Sequence, residues 1–435
     1  MHDRRRARVI LISPTESALT ERGKRHPDLA LLLTDDGWDV HYVSTTFNHT
    51  TKTQFGEDHV RRCKAELPYV FIALDVGAYR KNVSLARVRW NQRFARICHA
   101  YLKNVVREDD IVIVPSRPPE LLHAVARLKK QVGLKAILDI RDVWPDALCM
   151  SSRWMRTGFG LYCDLFLRSS VSQFDRFVHV APSFLRWLDR YAPGRQSTFI
   201  PLGYDRKRWQ TARPKRRLCG TPISLVYVGL LQKQIDVRPV LDALVGRPDY
   251  RLTIIGDGGE GERFREVQDC LRRHEMHNVT LVGRVPPGKV PDYLQHQDIG
   301  IVPMITSSIP NKVFDYLAAY LPIIALGDND TSRLVRRQNV GWCVPFQGRE
   351  VGSLLDRLSA AEILEKANNV EKTRHLYARE RLLATYVEVI ASCIAPVHRA
   401  RGIHSGDGAT CSEAIRDGGL RFGRIDPETC DSSVE

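Results

Sequence analysis

The chain has 435 residues, with 65 Lys and Arg against 50 Asp and Glu, a formal net charge of +15 and a hydrophobic content of 43%. That length exceeds one ordinary core and predicts two domains. No uncharged apolar run reaches the roughly 18 residues of a membrane span, so no transmembrane helix is expected. The basic balance points to a polyanionic partner: nucleic acid, an anionic membrane surface or a phosphorylated small molecule. With no zinc-finger spacing and no RNP aromatic pattern, nucleic acid is the weakest of the three, and none is expected as a partner.

The N-terminus, MHDRRRARVILIS, reads as a basic arm leading into a first strand. Pro14 and Glu16 follow at once and no small-residue cleavage site is evident, which argues against a signal peptide. Apolar, β-branched runs then alternate with longer amphipathic segments. In the first half, strands are predicted at Val9–Ser13, Val40–Ser44, Tyr69–Asp75, Ile111–Pro115, Ile137–Ile140, Phe177–Ala181 and Phe199–Leu202. Leu29, Leu32 and Leu33 mark one intervening helix, stopped by Gly37. Leu121, Leu122, Val125 and Leu128 mark another, stopped by Gly133. Strand–helix alternation is the pattern of a parallel sheet covered on both faces.

The rhythm pauses over GYDRKRWQTARPKRRLCGTP, residues 203–222, which is basic, Pro/Gly-marked and poor in aliphatics, as a linker is. It resumes with strands at Leu225–Gly229, Leu252–Gly256, Val279–Val282, Ile299–Pro303, Ile323–Leu326 and Trp342–Pro345. Helical patterns follow, the last from Arg379 to about Ile394. The expected organisation is a domain over 1–205, a second over 206–395 with closing helices, and a mostly disordered tail over 396–435. The ten cysteines show no CxxC and no metal-ligand spacing, which predicts reduced thiols in a cytoplasmic protein.

Several stretches carry candidate chemistry. In LVYVGLLQKQID a strand ends at Gly229 before a loop with Lys233; in LTIIGDGGEGERF another ends at Gly256, followed by Asp257 and Gly258. Glycine after a parallel strand lets backbone approach a ligand, and a helix N-terminus behind it favours an anion. The same glycines also suit tight turns and nothing more. In SSIPNKVFDYLAAYLPIIA, Pro310 and an apolar face of Val313, Phe314, Leu317, Ala318 and Leu321 predict a buried helix. Asp315, near its start, suits the dipole, whereas Lys312 opposes it by roughly 0.3–1 kcal/mol. A bound diphosphate reverses that sign, with Lys312, Lys233 and the amides of Ile309–Lys312 converging on it. The competing reading is a solvated lysine.

In ILDIRDVWPDAL the charged residues Asp139, Arg141 and Asp142 fall at the C-terminal end of a strand, facing a cleft. Arg141 and Asp142 either pair with each other or shape an acceptor pocket, with Ser116 and Arg117 at the same rim. SSRWMRTGFGLYCDLFLRSS, residues 151–170, either packs on the first sheet or touches an anionic membrane through a basic amphipathic face. His26, His123 and His179 read as helix or strand residues rather than ligands.

Taken in order, TTFNHTTK, ILDIRDVWPDAL, FIPLGYD, LVYVGLLQKQID, LTIIGDG, VTLVGRV and IPNKVFDYLAAYLPIIA resemble the retaining GT-B glycosyltransferases of the large group-1/family-4 type, in a branch of bacterial exopolysaccharide, O-antigen or capsule assembly. The resemblance runs over roughly residues 9–395. It implies an α/β fold of two doubly wound Rossmann-like domains facing a cleft, with C-terminal helices. It also implies transfer of a sugar from a nucleotide-diphosphate donor, UDP-linked and metal-independent, to a saccharide or polyprenyl-diphosphate-linked acceptor. The enzyme would be cytoplasmic, at the inner face of the membrane.

The resemblance places the donor among Gly229, Lys233, Gly256, Asp257, Gly258, Arg284, Ile309, Pro310, Asn311, Lys312 and Asp315, with Asp315 on the ribose. The acceptor side falls at Ser116, Arg117, Arg141 and Asp142, and the catalytic groups are Lys233, Lys312 and Asp142. Three positions depart from the family pattern. Ser307 stands for a glutamate eight residues before Asp315, Leu230 for an arginine, and Ser116-Arg117 for a rim histidine. These departures keep a degenerate nucleotide-sugar-binding protein open as an alternative, and the shared two-domain architecture keeps a nucleotide-sugar epimerase open as another.

Overall fold

The computed structural model describes residues 7–394 except 22–23, 149, 151, 215–217, 219–220 and 257–260; the tail expected to be disordered, 396–435, lies outside the described residues. The strands are β1 (Arg8–Ile12), β2 (Asp39–Thr45), β3 (Phe47–Asn48), β4 (Thr53–Gln54), β5 (Val70–Leu74), β6 (Ile111–Pro115), β7 (Lys135–Ile140), β8 (Arg176–His179) and β9 (Thr198–Phe199), then β10 (Ile223–Val228), β11 (Tyr250–Ile255), β12 (Val279–Gly283), β13 (Ile299–Val302), β14 (Ile323–Leu326) and β15 (Gly341–Val344). The first sheet runs β5-β2-β1-β6-β7-β8-β9 and the second β12-β11-β10-β13-β14-β15. Every pairing in both is parallel.

Parallel strands are buried on both faces, which is why they read as near-continuous apolar runs. In β1, Ile10 and Ile12 face one core while Val9 and Leu11 face another. In β10, Leu225 and Tyr227 face one side and Val226 the other. Each sheet has one strand from which the order runs both ways: β1, between β2 and β6, and β10, between β11 and β13. Outside the carboxyl end of such a strand the connecting helices diverge to opposite faces and leave a crevice.

Two features differ from the sequence reading. TTFNHTTK supplies the first strand and the turn of a small antiparallel hairpin, β3–β4, which no periodicity announced. The last helix, Arg379–Ala391, does not close over the second sheet. Leu383, Tyr386, Val389 and Ile390 bury against Val9, Leu11, Leu29 and Leu33 on the first sheet's side. Arg379 pairs there with Asp28 at 2.7 Å. The chain crosses back beside its outward path, where Tyr204 N bonds Tyr377 O at 3.0 Å and Arg379 N bonds Tyr204 O at 2.9 Å. Among the described residues no helix is long and apolar enough to cross a membrane.

Candidate functional site: two crevices at the strand tips

In the second sheet the crevice is opened by a tyrosine. β10 and β13 pair only at Leu225–Ile299 and Val226–Gly300. Beyond that point the Tyr316 hydroxyl takes over the ladder. It accepts from Val228 N at 2.9 Å and shares its proton between Val226 O and Ile301 O, each at 3.2 Å. A Cβ on Gly300 would lie 2.4 Å from the Tyr316 ring, so glycine is required at this close approach.

Tyr316 belongs to the helix Asn311–Ala318, with Pro310 as its N-cap and no side chain capping it. The amides of Asn311 and Lys312 therefore have no intrahelical partner. Lys312 is in the first turn but is not solvated. It is 9% exposed, and its Nζ donates to Tyr227 Oη at 2.8 Å and lies 4.0 Å from that ring's centroid. Tyr227 passes its own proton to Leu230 O at 2.9 Å. Burial pushes the Lys312 amine down to about 7, with Asp315 opposing the shift.

The ammonium faces backbone. A Cβ on Gly229 (φ +136°) would come within 3.1 Å of Lys312 Nζ, and one on Gly256 (φ +129°) within 2.3 Å of Gly229 O. Gly229, Gly256 and Gly283 sit side by side at the tips of β10, β11 and β12, joined by Gly229 N to Ile255 O and Gly256 N to Gly283 O. The structure thus brings together Lys312, Gly229, Gly256 and the start of helix 311–318. Ile309 is buried beneath and Pro310 half-buried. Arg284, just after Gly283, and Lys233, in the turn after Leu231, are both exposed. Asp257 and Gly258 lie outside the described residues.

Asp315 lies beyond the first turn, which holds no acidic residue, so its expected role in complementing the dipole is not realised. It pairs instead with Arg208 of the linker at 3.6 Å. Ser307 secures the loop before the helix. Its hydroxyl accepts from Asp330 N at 3.2 Å, and its carbonyl accepts from the Ser183 hydroxyl of the first domain at 3.2 Å.

In the first sheet a cavity of about 190 Å³ opens at the tips of β1 and β6, lined by Ser13, Thr15, Pro115, Arg117, Arg141, Asp142 and Leu202. The sequence-predicted Arg117, Arg141 and Asp142 meet here. Of the two readings left open, the pairing of Arg141 with Asp142 is not formed. Arg117 Nε pairs with Asp142, while Arg141 reaches across to Glu16. Ser116 is buried behind them. Its hydroxyl donates to Asp142 O at 2.6 Å and accepts from the amides of Arg141 (3.2 Å) and Asp142 (3.1 Å), pinning the loop.

Asp139 does not face the cleft as expected. It is wholly buried, 3.2 Å from Arg25 Nε and 2.7 Å from His26 Nε2. Burial acts to raise this carboxyl, but Arg25 and His26 outweigh it and hold it well below the usual range. Arg25 and Glu16 went unrecognised in the sequence, while His26, read as a helix or strand residue, lies in the helix Arg25–Asp35. The available signal was Asp139 itself, because an acid inside the buried run AILDI needs a cation. His49, Lys52 and Arg87, beside the same crevice, carried no such signal.

Two parallel α/β sheets with a crevice at each order reversal make this a GT-B fold. Sucrose-phosphate synthase from Thermosynechococcus elongatus superposes with a TM-score of 0.69 at 16% identity, over 89% of this chain and 99% of that one. HepE of Anabaena in complex with UDP superposes with a TM-score of 0.64 at 9% identity, over 88% and 100%. Residues 223–361, which include the second sheet, match the family described as glycosyl transferases group 1. Two proteins of Bacillus subtilis (strain 168), both provisionally assigned as teichuronic acid biosynthesis glycosyltransferases, are similar in sequence. TuaH is 30% identical over 118 residues, 26% of this chain and 28% of its own; TuaC is 27% identical over 291 residues, 64% and 69%. The chain thus spans little more than a quarter of TuaH's length and about two thirds of TuaC's.

Proposed function

We propose that the protein is a retaining glycosyltransferase that moves a sugar, without a metal, from a UDP-linked donor to a saccharide or polyprenyl-diphosphate-linked acceptor in cell-surface polysaccharide biosynthesis. One observation carries this reading: Lys312 is held desolvated against Gly229, with no ion-pair partner within 4 Å among the described residues. A buried amine without a counter-ion is unfavourable in the empty fold and becomes favourable once a diphosphate supplies the charge. The free amides of Asn311 and Lys312 add donors at a helix N-terminus. Exposed Lys233 and Arg284 stand at the same edge, and Asp315 is assigned to the ribose.

In this scheme the acceptor oxygen bonds the anomeric carbon on the face from which the C–O bond to the diphosphate breaks. The acceptor proton passes to the departing phosphate oxygen, so no pair of protein carboxylates is needed. Lys312, Lys233 and the amides stabilise the charge that develops on the leaving group. Asp142, at the opposite crevice and tied to Arg117, orients the acceptor hydroxyl by accepting its hydrogen bond.

Membrane contact at the inner, cytoplasmic face is assigned to the helix Arg153–Ser170. Cys163 and Leu167 bury in the core while Trp154, Leu161 and Leu165 are 87%, 65% and 74% exposed. Their spacing of seven and four residues puts them on one face, flanked by exposed Arg153 and by Arg168, which pairs with Asp164 at 2.7 Å. Exposed apolar residues rimmed by cations suit an anionic bilayer.

The test is incubation with UDP-sugars and a bacterial lipid extract, with the anomeric configuration of the product read by NMR. Retention with stoichiometric UDP release is the expected result. An inverted product refutes the retaining mechanism, and absence of nucleotide binding refutes the donor site.

A further inference from the structure

Beside the first crevice, two cations share one aromatic ring and a third, Arg117, lies near enough to repel them. Lys52, in the turn of the β3–β4 hairpin, adopts φ +64°, a left-handed conformation that a lysine rarely takes. Its Nζ donates to His49 O and Asn82 Oδ1, both at 2.5 Å, and lies 4.7 Å from the Tyr79 ring centroid. Arg87, at the start of the helix Leu85–Val105, is 8% exposed and donates to the same residue, Asn82 O, at 2.7 Å. Its guanidinium lies 5.8 Å from the Tyr79 centroid and 4.8 Å from that of Trp144. Arg117, lining the cavity, completes the group.

Among the described residues neither Lys52 nor Arg87 has a carboxylate within ion-pair distance. The one carboxylate felt at Arg87 is Asp142, which is already tied to Arg117. Burial, reinforced by repulsion from neighbouring cations, lowers the proton affinity of Lys52, Arg87 and His49. Lys52 falls to about 8 under burial with Arg87 and Arg117 acting on it, and His49 to about 3 under burial with Lys52 foremost among its cations. Lys52 and Arg87 are held by neutral acceptors and ring faces, and lack the anion that their charge calls for.

We propose that Lys52, Arg87 and Arg117 form a subsite for a phosphate-type dianion, the phosphate or diphosphate group of the acceptor. Calling the ligand an acceptor rests on the glycosyltransferase reading; the anion site itself does not. The dianion would sit at the rim of the cavity lined by Arg117, Arg141 and Asp142, putting the acceptor's attached sugar within that cavity. The neutral acceptors Asn82 and His49 O hold both cations in place beforehand, so little ordering remains when the anion arrives.

The test is isothermal titration of full-length Lys312→Met protein, whose buried donor-side cation is gone, with inorganic pyrophosphate. Adding Lys52→Gln is expected to weaken pyrophosphate at least tenfold, and Arg87→Lys at least threefold, with unchanged circular dichroism. Lys103→Gln, an exposed charge at the far end of helix 85–105, should change nothing. Equal affinity with and without Lys52→Gln overturns the proposal, as does an equal loss with Lys103→Gln. Tighter binding of a short-chain polyprenyl diphosphate in detergent than of a soluble sugar phosphate identifies a lipid source; the reverse order identifies a phosphosugar. Titrating UDP into Lys52→Gln with Lys312 intact separates the two readings. Retained UDP binding with lost pyrophosphate binding supports the subsite. A wild-type chain that never binds UDP sinks the donor site and leaves the pyrophosphate result to stand alone.

Discussion

Replacing Lys312 by methionine should make the protein more stable and less able to bind nucleotide. In the folded chain the amine titrates at about 7 instead of 10.5, because burial disfavours its charge. A cation whose folded pKa lies below its unfolded value opposes folding fully below the folded pKa. The penalty fades as pH rises to the unfolded pKa. At pH 7 and below it amounts to ~5 kcal/mol, taken at the full displacement. Methionine keeps the apolar stem but loses the bond to Tyr227 Oη, which returns ~1 kcal/mol. A net stabilisation of ~2–4 kcal/mol at pH 7 is expected. It should shrink towards pH 10, because wild-type stability rises across that window while the variant's contribution stays flat. Urea unfolding at pH 7 and pH 9.5 reads this directly. Over the same substitution, UDP binding should weaken by roughly 10–100-fold, the worth of a charge-assisted hydrogen bond. A variant that is less stable at pH 7 and binds UDP as before would refute the reasoning and make Lys312 a purely structural residue.

Three further outcomes follow from the same geometry. Asp139→Asn leaves Arg25 buried without its counter-charge and should destabilise the chain by ~3–5 kcal/mol at pH 7. The wild-type contribution is present above the unfolded carboxylate pKa and is lost as pH falls below it, so urea midpoints of the two forms should converge in acid. Gly229→Ala forces a Cβ to within 3.1 Å of Lys312 Nζ at φ +136°, and should weaken UDP binding about tenfold or more by displacing the ammonium. Trp154→Ser with Leu161→Ser and Leu165→Ser should abolish sedimentation with anionic vesicles while leaving the far-ultraviolet spectrum unchanged. Unaltered sedimentation would remove helix 153–170 from the membrane face.

Much of the fold was legible because parallel strands buried on both faces leave plain apolar runs. Ile111–Pro115 and Ile323–Leu326 are strands with the boundaries read from the sequence, and the others differ by a few residues. Helix 379–391 shows why the rest was not. An amphipathic stripe records that one face must be buried but not against which sheet, and this one crosses back to the first. The β3–β4 hairpin is too short to show an alternation. In the site, the glycines and Lys312 were visible because each is locally odd: a glycine closing an apolar strand run, a cation at a dipole's positive end. Burial of Lys312 was not visible, since it depends on Tyr227, 85 residues away. The pairing of Arg141 with Glu16 instead of its neighbour Asp142 spans 125 residues, a choice made by strand order. Lys52 and Arg87 look like ordinary surface charge until the hairpin and helix 85–105 bring both to Asn82 and Tyr79.

The most direct test of the central claim is release of nucleoside diphosphate from a panel of nucleotide sugars in the presence of a membrane-lipid extract, with wild-type and Lys312→Met protein assayed side by side. The account predicts release matched mole for mole by sugar incorporated into the extract, and at least a tenfold lower rate for Lys312→Met. Release without incorporation, no release from any donor, or equal rates for the two proteins would contradict it.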